Sequence, residues 1–193
     1  MSSHSGVPDY ELDDLHIVSS TDELKAMFHD LRSTLLELLN ERAATVAELA
    51  TAVARPKSTV AYHVGLLVDA GLLKVVRTRR VRAVEERYYG RTARIFYVGT
   101  IQPDQLPMIT NYLTQAAAES VPAHEADDLR AFLRYARIPE DRAEQFWRRV
   151  FEVVNEFSAL PRSGEVVYGF VAALYPTDHP TLPDPEPTEK ESP

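Results

Sequence analysis

Apolar positions between residues 20 and 40 recur at steps of three and four, which is the period of an amphipathic helix. These positions are Leu24, Met27, Phe28, Leu31, Leu35, Leu38 and Leu39. Ahead of them, Ser20 and Glu23 have the spacing of a capping box, in which each side chain bonds the other residue's backbone amide. The pattern predicts one helix from this box to about Asn40.

Two shorter helices are predicted next. A second capping-box pattern at 45–48 begins a helix that ends before Pro56, since proline disfavours helical backbone at the residue ahead of it. Ser58 is predicted to cap a third helix that runs to about Ala70. Gly71 then supplies the left-handed residue that commonly ends a helix.

From residue 72 the pattern becomes extended. The β-branched run 72–78 predicts a strand, and 84–89 predicts a return strand, so that the basic residues 77–82 lie at or near a hairpin tip. The run 95–98 is either a further strand or the start of a helix. Residues 1–19 show no sustained periodicity and are predicted to form an N-terminal arm.

The second half of the chain has a different pattern. Its helical periodicity predicts helices at 103–119, 126–138 and 139–160. The continuous apolar run 166–174 is either a buried strand or a short helix. Six of the nineteen residues from Tyr175 onward are proline, which predicts a disordered tail over 176–193.

Charge is distributed very unevenly along the chain. The net charge of −8 argues superficially against nucleic acid, but residues 55–94 hold ten basic and three acidic residues, a local charge of +7 against −15 elsewhere. Such separation indicates an anion-binding module carried by an acidic body. The run 77–82 has no acidic residue inside it, and like charges gathered this way repel one another unless a polyanion neutralises them. An exposed hairpin decorated for solubility is the alternative.

Three helices followed by a basic hairpin is the order of a winged helix–turn–helix. Three segments, Thr45-Val-Ala-Glu-Leu-Ala50, Lys57-Ser-Thr-Val-Ala-Tyr-His-Val64 and Asp69-Ala-Gly-Leu-Leu73, together resemble the bacterial ArsR-like transcriptional regulators over about residues 20–98. The resemblance implies an α+β fold, mainly α with a small β-hairpin wing. Its third helix enters the DNA major groove, while the wing lies along the backbone or minor groove.

The resemblance also implies which residues face DNA. Ser58, Thr59 and Tyr62 are expected at the groove, and Arg55 and Lys57 at phosphates near the helix N-terminus. In the wing, phosphate or minor-groove contacts are expected from Arg79, Arg80 and Arg82, with Arg77 and Arg87 as further candidates that either contact DNA or lie on the sheet. His63 is interpreted as a packing residue. Gly65 and Leu66 depart from the family pattern, which usually has polar or basic residues there.

The expected organisation is an arm (1–19), a winged helix–turn–helix domain (20–98), a helical dimerisation or effector region (99–175) and the tail (176–193). The expected function is sequence-specific binding of double-stranded DNA by a homodimeric transcriptional regulator. A repressor of a palindromic operator is expected, because two recognition helices one turn apart read a palindrome. The aromatic residues of the second half are either ordinary core and dimer interface or the lining of a pocket for a small-molecule effector. The alternative function is a winged-helix protein-interaction module that does not read DNA, which Gly65, Leu66 and the acidic body favour.

Other chemistry is not indicated. The absence of cysteine excludes disulfides, thiolate metal sites and cysteine nucleophiles. Glycine-rich phosphate loops and hydrolase motifs are absent, so neither an enzyme nor a cofactor is predicted. His124, Asp127 and Asp128 have a tolerable metal-ligand spacing, but a solvated loop is the favoured interpretation and no metal site is predicted. Without a signal peptide or an apolar run of about 18 residues, a cytoplasmic protein with no membrane partner is expected.

Overall fold

The computed structural model describes residues 8–81 and 84–182. Its first half holds the elements β1 (Asp13–Val18), α1 (Thr21–Met27), α2 (Asp30–Leu38), β2 (Ala44–Thr45), α3 (Val46–Ala52), α4 (Lys57–Asp69), β3 (Leu73–Val81), β4 (Val84–Arg91) and β5 (Ala93–Val98). Its second half holds a 3-10 turn (Leu106–Met108), α5 (Tyr112–Glu119), α6 (Val121–Glu125) and α7 (Glu140–Ala159). Within these ranges, no helix is long and apolar enough to cross a membrane.

The core lies among helices α1 to α4. Each helix contributes a leucine that is almost completely buried, and these are Leu24, Leu35, Leu49 and Leu67. The apolar spacing seen in the sequence therefore corresponds to burial against one shared core.

The single helix predicted from residue 20 to 40 is wrong, because the chain forms two helices there. Helix α1 begins with the expected capping box at Ser20 and ends at Phe28, whose backbone leaves the helical region. The Arg32 side chain explains the break: its Nε donates to the carbonyl of Ala26 at 2.6 Å, and its Nη2 donates to that of Lys25 at 2.5 Å. The Arg32 guanidinium thus donates to two carbonyls that backbone amides of the next turn would bond if the helix continued.

The start of α4 also differs from the prediction. Pro56 is the N-cap residue, and its side chain makes no capping hydrogen bond. Ser58 is the second residue of the helix and does not cap it, because the helix already begins at Lys57, directly after Pro56. The prediction that Gly71 ends this helix in the left-handed conformation is confirmed, since its φ is +73°.

Two small sheets flank the helices. Strands β3 and β4 form the predicted antiparallel hairpin, and β2 pairs with β4 to give the order β2-β4-β3. The undecided run 95–98 belongs to strand β5. Strand β1, which lies within the predicted arm, pairs in parallel with β5 from Asp13 to Val18. No local pattern revealed β1 because its partner is about 80 residues away in the sequence.

The segment before β1 is fixed to the domain by Tyr10. Its hydroxyl donates to the carbonyl of Leu39 at 2.6 Å and accepts the amide of Arg91 at 3.0 Å. Its ring covers Gly90, where an added Cβ would lie 2.6 Å from a ring carbon. Burial raises the pKa of the Tyr10 phenol, so that it keeps its proton and both hydrogen bonds at neutral pH.

A buried guanidinium joins the wing to the helices. Arg91 is 4% exposed and donates to the carbonyls of Leu36, Ala93 and Arg94 at 2.9–3.0 Å. Its charge also lies 4.5 Å from the centre of the Phe96 ring. Because its donors have partners, Arg91 is a structural residue of the wing base.

The second half corrects three predictions. The helix predicted at 103–119 is divided, because residues 106–108 form a 3-10 turn and α5 begins only at Tyr112. Residues 129–138 have no regular secondary structure, and the run 166–174 is neither strand nor helix. A short helix is marginal unless an apolar face is packed, and residues 129–138 are exposed throughout. Helix α7 is confirmed, with bounds close to those predicted. Of the predicted disordered tail at 176–193, residues 176–182 have no regular secondary structure, and residues 183–193 lie outside the described residues.

Candidate nucleic-acid interface

Helix α4 has one buried face and one exposed face. Val60, Val64 and Leu67 point into the core with exposures of 1% or less, as predicted from their spacing. On the other side, Ser58 is exposed and Tyr62 is 65% exposed, while Thr59 is half-buried. A rigid helix with polar side chains on its free face fits the shape of the DNA major groove.

The N-terminus of α4 is an anion-attracting position. Its first turn contains no acidic residue, and no side chain caps it. The basic residues Arg55 and Lys57 beside it are both exposed. The helix dipole, the uncapped backbone amides and these two cations all favour a phosphate at this point.

Two arginines of the wing lie opposite acidic residues. The hairpin register pairs Arg79 with Glu86 and Arg80 with Glu85, so each basic residue has an acidic residue opposite it. Arg87 lies 3.7 Å from Glu85 along the same strand. The acidic partners were missed because the hairpin turn, not the sequence, brings them next to the basic run.

Arg77 is engaged within the protein. Its Nη1 lies 2.7 Å from Oδ2 of Asp9, and its guanidinium carbon lies 4.5 Å from the centre of the Tyr88 ring. Burial raises the pKa of Asp9, but the hydrogen bonds from the Ala43 amide and the Arg77 guanidinium lower it by more. The pKa of Asp9 is therefore below its usual value. Of the predicted wing contacts within the described residues, Arg77, Arg79, Arg80 and Arg87 are all exposed. Arg82 lies outside the described residues.

His63 packs behind the exposed face of α4. Its ring centre is 4.8 Å from that of His29, and its Nδ1 is 3.4 Å from Nη1 of Arg32. Burial lowers the pKa of His63, and the nearby His29 and Arg32 lower it further. The imidazole is therefore neutral at pH 7, with Nδ1 accepting from the guanidinium. Sequence reasoning missed this cluster because its members come from separate elements.

The two departures from the family pattern have different surroundings. No atom lies within 4 Å of a Cβ added at Gly65, so no neighbouring part of the described chain requires glycine there. Leu66 is half-buried, which removes the difficulty of placing a fully exposed leucine on this helix. For the metal alternative, no group of three or more potential ligands is present in the described ranges 8–81 and 84–182.

Comparison with known proteins identifies the domain that carries this surface. Residues 27–76, which include α2 to α4 and the start of β3, match a family described as a helix-turn-helix domain. This segment is therefore a helix-turn-helix domain, and the β3–β4 hairpin that follows it completes a winged arrangement.

Several solved structures are similar over part of the chain. HlyU from Vibrio cholerae is 25% identical, with 37% of this chain and 73% of that one covered and a TM-score of 0.32. Rv0081 of M. tuberculosis is 27% identical, with 55% and 88% covered and a TM-score of 0.31. Mb0332 from Mycobacterium bovis, described as a homodimeric winged helix-turn-helix DNA-binding domain of a possible ArsR-family regulator, is 22% identical, with 53% and 81% covered and a TM-score of 0.32. No curated protein matches the chain.

Proposed function

We propose that this protein is a sequence-specific transcriptional repressor that binds a palindromic operator as a homodimer. The observation that carries the proposal is the free face of α4, where Ser58 and Tyr62 are exposed beside the uncapped basic N-terminus. Side chains at the start of a recognition helix are the ones that reach base edges in the groove.

The contacts divide into two kinds. Ser58, Thr59 and Tyr62 read base edges, and their loss relaxes sequence preference. The remaining contacts bind phosphate or the minor groove and supply affinity that falls with salt. They come from Arg55, Lys57, Arg79, Arg80 and Arg82. Arg77 and Arg87 make weaker contributions, because each already lies near a carboxylate of the protein.

Two copies are needed to read a palindrome. A dimer places two copies of α4 about 34 Å apart, one DNA turn, so that they enter successive major grooves on one side of the duplex. Large apolar side chains left exposed on the second half support association of two chains. Occupation of a promoter by such a dimer blocks transcription without any further activity.

The first test is selection of bound fragments from the genomic DNA of the source organism at low and moderate salt. We expect one palindromic sequence to remain enriched at moderate salt. Uniform binding that salt abolishes would reduce the proposal to electrostatic affinity, and absence of binding at both salts would favour a protein-interaction module.

The second test compares matched arginine variants on the selected sequence. Arg79→Ala and Arg80→Ala each remove one wing charge, and we expect each to weaken binding and to lower the slope of log K against log salt by up to about 0.9. Arg148→Ala removes the same charge from an exposed position on α7 and serves as the control. Equal effects of all three variants would contradict a DNA-contacting wing.

A further inference from the structure

A cleft lies between the segment 10–13, which ends at the first residue of β1, and the strands β3 and β5. It has a volume of about 530 Å³, which is in the range of binding sites for small molecules. Six residues line it, and these are Tyr10, Glu11, Leu12, Asp13, Lys74 and Arg94.

Backbone and side-chain contacts hold the walls of this cleft in place. Lys74 pairs with Gly90 across the wing hairpin, and the Tyr10 ring covers Gly90. On the side of the N-terminal segment, Asp13 donates its backbone amide to the carbonyl of Thr92 at 3.0 Å. The lining residues therefore belong to fixed segments, and the cleft is formed without a ligand, as most small-molecule sites are.

Arg94 carries an unusual nitrogen atom. In the buried and half-buried residues of the described ranges, its Nη1 is the buried side-chain atom that lacks a hydrogen-bond partner. The neighbouring Arg91 differs, because its guanidinium donates to three backbone carbonyls. A buried donor without an acceptor is costly, so this side of the cleft favours a ligand with an acceptor oxygen.

The lining carries charges of both signs. Lys74 and Arg94 are half-buried cations, whereas Glu11 and Asp13 are exposed carboxylates. Within the part of the chain that the structure describes, no ion pair or side-chain hydrogen bond engages Lys74, Glu11 or Asp13. Both signs of charge are therefore available to a ligand.

We propose that this cleft binds a free α-amino acid. The carboxylate of the ligand accepts hydrogen bonds from Arg94 and Lys74, and its ammonium group donates to Asp13. Hydrogen bonds between charged groups are shorter and stronger than those between neutral ones. Leu12 is half-buried in the lining and gives the side chain of the ligand an apolar surface.

The mixed charge separates this site from the DNA interface. A phosphate backbone or a simple anion that met Lys74 and Arg94 would also meet the carboxylates of Glu11 and Asp13, and like charges at close range repel. A simple cation would meet the two basic residues in the same way. A ligand that carries both charges on one carbon is attracted by both parts of the lining.

The first test offers each standard α-amino acid separately to the full chain at millimolar concentration. Ligand-observed NMR measures binding, and thermal unfolding measures the change in Tm. We expect one amino acid, or a group with related side chains, to bind and to raise the Tm, because a ligand that binds only the folded state stabilises it. Absence of binding by every amino acid would overturn the proposal.

Blocked derivatives of the amino acid that binds test the need for both charges. The N-acetyl derivative keeps the carboxylate and lacks the cation, whereas the amide keeps the ammonium group and lacks the carboxylate. We expect each derivative to bind at least about 10-fold more weakly than the free amino acid. Equal binding of either derivative would mean that one charge is sufficient and would overturn the proposal.

Matched variants test whether the ligand lies in this cleft. Lys74→Met removes the cation with little change in side-chain length, Asp13→Asn removes the carboxylate, and each is expected to raise the dissociation constant at least about 10-fold. Lys25→Met and Asp14→Asn remove the same charges from exposed residues outside the lining and are expected to bind like the parent. Binding that is unchanged in the cleft variants, or weakened equally in the controls, would contradict the site.

Arg94→Gln tests the role of the unpartnered nitrogen. This variant is expected to bind the amino acid at least about 10-fold more weakly. Without ligand its Tm is expected to be no lower than that of the parent, because a buried donor without an acceptor has been removed. Binding as tight as that of the parent would overturn the proposal, and the Lys74→Met and Asp13→Asn results decide the question if Arg94→Gln fails to fold.

These measurements need no DNA. Absence of amino-acid binding by a chain that binds its operator overturns the site and leaves the proposed function in place. Binding of an amino acid by a chain that binds no DNA overturns the proposed function and leaves the site.

Discussion

The two halves of this chain differ in how far their apolar side chains are buried. In the described part of the chain, the core residues run from Val18 to Ala93 and the last buried residue is Gln105. Beyond it come an amphipathic helix, α7, and a nine-residue apolar run at 166–174, yet none of their residues is buried. The first half therefore buries its apolar side chains in one core, whereas the second half leaves many of them exposed.

Truncation of a core leucine gives the largest contrast between the halves. Leu67→Ala empties space at the centre of the four helices, and we expect it to lower the free energy of unfolding by about 2–5 kcal/mol. Phe132→Ala removes a larger side chain that is 89% exposed, and we expect a change within about 0.5 kcal/mol. Urea denaturation of both variants checks the contrast, and similar losses would contradict it.

Two glycine variants test whether the segment around Tyr10 is fixed to the first half of the chain. At Gly90 an added Cβ meets the Tyr10 ring, which two hydrogen bonds hold in place, so Gly90→Ala is expected to destabilise the fold by about 1–3 kcal/mol.

Gly65→Ala is the matched control, since the space around it is open. Replacement of a helical glycine by alanine there is expected to raise stability by up to about 1 kcal/mol. Thermal unfolding measures both variants. A stabilising Gly90→Ala would show that the segment around Tyr10 is not fixed to the domain.

How much the sequence predicts also differs between the halves. Capping boxes at Ser20 and Thr45, the burial of Val60 and Val64, and the wing hairpin were predictable because they depend on short-range spacing. The break between α1 and α2 was not predictable, because it depends on a hydrogen bond from the Arg32 side chain to the carbonyl of Ala26, which helical periodicity does not indicate. At the candidate DNA interface, exposure of Ser58 and Tyr62 agrees with the prediction, whereas the contacts of Arg77 depend on Asp9, 68 residues away.

A carboxylate near the start of α1 tests whether the first half has its own pH dependence. Burial raises the pKa of Glu23, but hydrogen bonds from Ser20 and from His16 Nε2 at 2.6 Å outweigh it and hold the pKa at about 2, against 4.5 for a free glutamate. Because the pKa is lowered on folding, this stabilisation is present above about pH 4.5 and is lost as the pH falls towards 2.

Glu23→Gln is therefore expected to cost about 0.5–2 kcal/mol from pH 7 down to about 4.5, and progressively less as the pH falls from there towards 2. Glu41→Gln removes an exposed carboxylate of the same half and is the control. Urea midpoints at several pH values between 7 and 2 measure the difference between variant and parent. A constant difference across that range would mean that charge is not the source of the stabilisation.

The smallest expected effect concerns the contact between Asp9 and the wing. Asp9→Asn removes the carboxylate that holds Arg77 at 2.7 Å, so that the guanidinium can meet a phosphate instead. We expect operator affinity to rise a few-fold and the salt slope to steepen by up to about 0.9, equivalent to one added phosphate contact. Glu11→Gln removes the same charge two residues away from an exposed side chain and controls for net charge. If both variants gain affinity equally, the gain reflects the overall field; if only Asp9→Asn gains it, the N-terminal segment sets how much of the wing is available to DNA.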